Sequence, residues 1–255
     1  MIEKPIVSHM NQEIAQTIKS LKSRNINSIY ATDRKEAQTK ILELIPQQSV
    51  VGIGDSTTMR QLGVIEALQK RGTTVNLGSF SREPKKPQTD ERKPHRESTH
   101  ADVFRAGTNA LTVDGRLVNV DGLGNRVAGM FYGHQLSIVA VGKNKLVENL
   151  DEAFHRVRKI IAPNHIRIRS AELGGRERFT PCVATGVCTD CRSKDRSCNI
   201  FTIIEGKPNG TNLNVVIVDK DLGLSWDESW PQERISSIRE DYKKYVWVPP
   251  RQLLV

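Results

Sequence analysis

SVVGIGDSTTMRQLGVIEALQK, residues 49–70, decides the fold. Residues 49–54 are a short apolar run that ends on glycine and reads as a strand. Asp55, Ser56, Thr57 and Thr58 follow, and a helix over about 59–70 carries Met59, Leu62, Ile65 and Leu68 on one face. Strand, glycine turn, hydroxyl cluster and helix is the unit of an α/β fold with a mostly parallel sheet flanked by helices. The same arrangement presents backbone N–H groups and a helix N-terminus to an anion. Gly52 and Gly54 flank the turn, as close approach of a ligand to backbone requires. The G-K-[ST] element of a Walker loop is absent. The competing reading is an ordinary N-cap, for which Asp, Ser and Thr are all suited.

Working outward, residues 136–142, LSIVAVG, are wholly apolar, as a central parallel strand should be. Residues 73–77, 101–107, 200–205 and 213–219 read as further strands. Residues 110–120 read as a hairpin turning at Asp114-Gly115. It delivers the glycine-spaced loop DGLGNR, residues 121–126, which opens a helix over 127–132. Helices are also expected over 12–24, 33–44, 150–162 and 233–245, with Pro46 and Pro163 ending the second and third of all but the last. The charged stretch 81–100, with Pro84, Pro87 and Pro94, reads as an exposed excursion in which His95 and His100 face solvent. Trp226, Trp230 and Trp247 read as packing anchors.

In open parallel sheets ligands collect at the carboxyl ends of the strands. Four such ends converge as candidates. They are residues 54–58; Thr108 and Asn109; residues 121–126, with Asn125 and Arg126; and Lys143 with Asn144. Arg126 can grip a carboxylate or phosphate in bidentate fashion, or pair structurally with Asp121. Asp121 and Lys143 are the candidate proton-transfer groups.

All four cysteines, Cys182, Cys188, Cys191 and Cys198, fall in TPCVATGVCTDCRSKDRSCN, residues 180–199. Thiolates bind soft and borderline metals, and a C-x-x-C pair aims two sulfurs at one ion or cluster. Arg192, Lys194 and Arg196 offset the charge of such a ligand set. The spacing matches neither the usual zinc patterns nor the bacterial ferredoxin run. Spacing alone therefore leaves iron–sulfur and zinc open, with disulfides disfavoured for a chain read as cytoplasmic and unligated, redox-active thiols as the remaining alternative.

The chain has 255 residues, 26% charged and 37% hydrophobic, with a net charge of +9. It is long enough for a sizeable core and reads as one domain. Its parts are N-terminal helices over 1–48, an α/β core over 49–178, the cysteine segment over 179–200, and the last strands, helix and tail over 201–255. No apolar run of membrane-spanning length occurs, and the first residues lack the apolar core of a secretory signal. The cationic surplus favours anionic partners. Aromatics at 5% argue against base-stacking platforms and hence against nucleic acid. Membrane association is not expected, and a homo-oligomer stays open.

Three motifs taken in order, VGIGDSTTMRQLGVIEAL, ADVFRAGTNALTVDGRLVNVDGLGNRVAGMFYG and the cysteine window, resemble the lactate-utilisation (LUD) domain family, in its branch with a C-terminal four-cysteine signature. The resemblance runs from about residue 11 to 225. It implies a fold similar to the ribose-5-phosphate isomerase and CoA-transferase group. Residues 52–58 look like the anion loop of sugar-phosphate isomerases, with the departure that Asp55 puts a carboxylate where an anion would sit. The resemblance further implies a 4Fe-4S cluster on the four cysteines in preference to zinc, redox partner subunits, and a small organic anion such as a 2-hydroxy acid or a sugar or acyl derivative. An enzyme or redox subunit is thus expected. The alternatives are a metal-stabilised ligand or redox sensor, and a basic nucleic-acid binder with structural zinc.

Overall fold

Two β-branched runs with almost no polar interruption, LSIVAVG and NLNVVIV, become the inner strands of a six-stranded parallel sheet. The computed structural model describes residues 10–77 and 93–249, without the side chains of 93–95. Residues 81–92 of the charged excursion and the side chain of His95 lie outside the described residues. The strands are β1 (Asn27–Ala31), β2 (Val51–Ile53), β3 (Val75–Asn76), β4 (Val103–Gly107), β7 (Leu136–Gly142) and β10 (Asn212–Val218). Their order is β1-β10-β7-β4-β2-β3, and every neighbouring pair is parallel.

The period-2 pleat sorts the apolar side chains onto two faces. Val139 and Val141 of β7 pack with Val215, Ile217 and Phe104 against Ile14 and Leu21 of α1 (Gln12–Ser23). Ile138 and Ala140 pack with Val216 and Val218 against Ala37 and Ile41 of α2 (Arg34–Leu44) and Val64 and Leu68 of α4 (Val64–Lys70). Each fully buried side chain of this kind contributes about 1.5–3 kcal/mol. Asn11 and Asp33 cap α1 and α2 by accepting the Glu13 and Glu36 amides.

The hairpin forms as β5 (Ala110–Thr112) and β6 (Leu117–Asp121), with Leu111 opposite Leu117. It joins β8 (Leu146–Val147) and β9 (Ile200–Ile204) in a second sheet, ordered β8-β5-β6-β9. The last two strands of the chain therefore part company. β9 pairs antiparallel with β6, while β10 enters the middle of the parallel sheet.

Two helices differ from expectation. The stretch after β2 is broken into α3 (Thr57–Gln61) and α4, because Gly63 adopts φ +63 and restarts the helix. The run from Leu150 does not stop at Pro163. It continues as α7 (Leu150–His155), a π turn (Arg156–Ile161), α8 (Ala162–Arg167) and a second π turn (Ile168–Glu172). Proline lacks an N–H and crowds the carbonyl four residues back. The widened π turn before it accommodates both, and Pro163 falls in the first turn of α8. α10 (Gln232–Tyr245) packs Ile235, Ile238 and Tyr242 with Trp226 against Ile160 and Ile168 of that run. Among the described residues no helix is long and apolar enough to cross a membrane.

Candidate functional site

The glycine turn after β2 is tight for packing reasons that can be read atom by atom. A Cβ on Gly52 would lie 2.0 Å from the Ser98 carbonyl oxygen of α5 (Lys93–Thr99). A Cβ on Gly54 would lie 2.6 Å from Cγ of Arg126. Gly52 thus admits a helix, and Gly54 admits the Arg126 side chain, which ties the 54–58 loop to the 121–126 loop. Ser56 caps α3 by accepting the Met59 amide, 3.2 Å.

Lys145 closes the other side. β7 ends in the 3-10 turn Lys143–Lys145, which carries Lys145 into the interior at 7% exposure. Its Nζ donates to Oγ1 of Thr58 (3.2 Å) and to the Thr108 carbonyl (2.8 Å). Burial, and then the Arg126 charge, lower its pKa to about 7. Lys143, two residues earlier, is 38% exposed and pairs with Asp219 at 2.9 Å. Asn144 is wholly buried between the Ser225 carbonyl and the Leu222 amide, where it holds the 222–225 segment.

Arg126, on α6 (Asn125–Phe131), spends its donors on the protein. They go to the carbonyls of Gly107 and Val120 and the amide oxygens of Asn119 and Asn109. Asn109 also accepts the Val120 amide. Asp121 accepts the amides of Leu123, Gly124 and Val127 and lies 3.7 Å from Nε of Arg126. Thr108 donates to the Ala110 and Val118 carbonyls. Asp121, Asn109 and Arg126 therefore form a clamp that fixes three strand ends, with Asn125 at the partly exposed start of α6.

A second cluster lies on the far side of the loop. Asp55 is ion-paired with Arg60 of α3 and lies 4.0 Å from Arg169 in the second π turn. Burial pushes its pKa up, but Arg60 and Arg169 outweigh burial and hold it below the usual range. Asp55 thus does not repel an anion as its charge alone implies. His165 lies one turn before Arg169. The Arg169 guanidinium, which can only donate, meets His165 Nε2 at 2.9 Å. The ring proton therefore sits on Nδ1, 2.5 Å from the Tyr242 hydroxyl. Burial and Arg169 lower the His165 pKa to about 3, so the ring is neutral. Burial raises Tyr242 to about 12 despite a hydrogen bond with Thr57. The chain Arg169, His165, Tyr242, Thr57 thus reaches the first turn of α3.

Arg105 is the largest fully buried side chain, at 1% exposure in the middle of β4. Its Nε and Nη2 have no hydrogen-bond partner among the described residues. Burial, and then the nearby Arg60, lower its pKa to about 9, opposed by Glu66.

The cysteine segment reaches the same end of the fold. β6 and β9 pair with Asp121 opposite Ile200. The Asn199 amide donates to the Asp121 carbonyl (3.0 Å), so Cys198 sits beside the 121–124 loop. Cys182 lies in the short helix α9 (Pro181–Thr185), 3.2 Å from the Thr180 hydroxyl. Arg196 ties the segment together by donating to the carbonyls of Cys191 and Cys198. The thiols are free and half-buried. Burial raises the Cys198 pKa, Arg196 opposes it, and Cys188 and Cys191 add to the rise, which puts these three thiols in one another's field. Among the described residues no three His, Cys, Asp or Glu side chains are grouped to hold a metal. Four thiols are the donor set that an iron–sulfur cluster takes.

Lys145, Arg105, Arg60, His165, Arg169 and Tyr242 were missed by sequence reasoning. A charged residue inside the apolar run ADVFRAG was a visible signal. His165 and Arg169 stand four apart, but only on a helix that continues past Pro163.

A family model described as the LUD domain matches residues 14–218. A crystal structure of a DUF162 family protein from Deinococcus radiodurans is similar at 12% identity, covering 82% of this chain and 96% of that one, with a TM-score of 0.43. No curated protein matches.

Proposed function

The chain belongs to the LUD domain family, and from that premise we propose that it binds and acts on a small organic anion at the strand ends. The ligand class is a 2-hydroxy acid or a sugar or acyl derivative. The observation that supports this best is Lys145, a buried amine with a pKa near 7, joined to the hydroxyl loop through Thr58. A group that is half-charged near neutrality can give or take a proton at little cost. Lys145 replaces Lys143 and Asp121 as the proton-transfer group in this reading. Neutral Lys145 takes the proton of a ligand hydroxyl, and charged Lys145 holds the resulting anion. Ser56 and Thr58 supply hydroxyls at the start of α3, and the Arg126 clamp keeps the loops in register. Calorimetric titration of the full chain with 2-hydroxy acids tests the binding. Heat at no accessible concentration of any small organic anion would remove the reading.

Cys182, Cys188, Cys191 and Cys198 are the residues that would hold the 4Fe-4S cluster. Bound there, it would supply one-electron transfer to partner subunits. Anaerobic reconstitution with iron and sulfide is expected to give a brown protein with visible thiolate-to-iron absorbance. Cys191→Ser is expected to lose the colour and the accompanying gain in stability, because metal affinity is folding free energy. A colourless chain carrying stoichiometric zinc would sink the cluster.

A further inference from the structure

The charges around the strand-end site do not balance. Lys145, Arg60, Arg105, Arg126 and Arg169 are each buried or nearly so, and Asp55 and Asp121 are the carboxylates among them. Arg126 and Asp121 satisfy each other and the surrounding backbone. Asp55 is shared between two guanidiniums. Among the described residues Arg105 and Lys145 have no carboxylate partner of their own, and Arg60 and Arg169 together have one.

The groups at the rim do not correct this. Glu66 faces Arg105 from the exposed side of α4. Arg178 adds a further cation beside His165. Asp241 is engaged by Arg34 and Gln61. His165 is neutral, as the donor to its Nε2 requires. Hydrogen bonding repeats the pattern, since Nε and Nη2 of Arg105 and Nε of Arg169 are buried without acceptors among the described residues. A buried charge without a partner is costly, and folded proteins keep such groups where a ligand completes them.

Taking the strand ends as the ligand site, as proposed above, we propose that the ligand is an anion with two or more negative charges. That class comprises a phosphate monoester, inorganic phosphate or a dicarboxylate, and excludes a monocarboxylate such as lactate as the preferred ligand. A monocarboxylate offers one charge and satisfies one guanidinium in bidentate fashion. A dianion supplies a second charge and the further acceptor oxygens that Arg105 and Arg169 lack. Asp55, which by itself opposes a dianion, is already neutralised from both sides.

The test is calorimetric titration of the full chain with lactate, malate, inorganic phosphate and glycerol phosphate at one ionic strength, so that general screening is equal. Malate or the phosphates are expected to bind roughly tenfold or more tightly than lactate, the equivalent of one charge-assisted hydrogen bond. Whichever arm binds identifies the dianion as carboxylate or phosphate. Arg105→Met is expected to reduce that preference, and its thermal midpoint without ligand is expected to rise, because an unpartnered buried charge is gone. Lactate binding as tightly as the dianions would overturn the inference while leaving the site intact. Absence of binding by every anion would overturn both. An unchanged ligand-free midpoint in a folded Arg105→Met chain would also count against it.

Discussion

Lys145→Met is expected to stabilise the chain at pH 6 by on the order of 3 kcal/mol and to flatten its alkaline stability profile. The folded-state pKa is about 7, against 10.5 for the free side chain. Between those values the unfolded chain holds a proton that the folded chain does not. Stability therefore rises with pH across the window from 7 to 10.5, and the full penalty is present below 7. At about 1.4 kcal/mol per unit the penalty is about 5 kcal/mol. The variant escapes it but leaves the Thr108 carbonyl without its donor, which returns about 1–2 kcal/mol. Urea unfolding of both chains from pH 6 to 10 measures the difference directly. Parallel profiles would mean that the Lys145 amine is charged and solvated in the folded state. A bound anion should oppose the trend, because it favours the protonated amine.

This prediction concerns a residue that pattern-reading alone passed over by two positions. KNK at the end of β7 offers two lysines, and the hydropathy of the strand does not say which one the 3-10 turn buries. The parallel sheet itself was legible, because runs such as LSIVAVG have few other stable placements. The convergence of residues 54–58 and 108–109 was legible for the same reason, since strand ends of one parallel sheet share an edge, whereas residues 121–126 follow β6 of the second sheet and join them through Arg126. What each side chain does there was not. Arg126 and Asp121 look like ligand-binding groups by type, yet their hydrogen bonds go to the protein. Arg105, Arg169 and His165 depend on packing between elements far apart in sequence. His165 depends in addition on a helix continuing through Pro163, which a propensity argument stops.

His165→Gln is expected to remove much of the acid sensitivity between pH 7 and 5 while changing stability at pH 7.5 little. Burial, and then Arg169, hold the folded pKa at about 3, whereas the ordinary histidine value is 6.5. Between these values the unfolded chain binds the proton and the folded chain does not. Stability is thus lost as pH falls below 6.5, with the full penalty reached near pH 3. By pH 5 the expected loss is about 2 kcal/mol from this ring alone. Glutamine can accept from Arg169 through its carbonyl and donate to Tyr242 through its amide, so both contacts survive without a titrating group. His134 is also buried and lowered by desolvation, so it contributes to both profiles and cancels in their difference. Trp247, stacked on Arg169 at 5.3 Å, gives a local fluorescence readout of the same cluster. Superimposable acid profiles for the two chains would show that the ring titrates alike folded and unfolded, and so becomes charged as pH falls through 6.5. The fixed direction of the path from Arg169 through His165 and Tyr242 to Thr57 would then be lost below that pH. With a neutral ring the path holds its direction, and the added positive charge that would crowd Arg169 and Arg60 stays off the 54–58 loop.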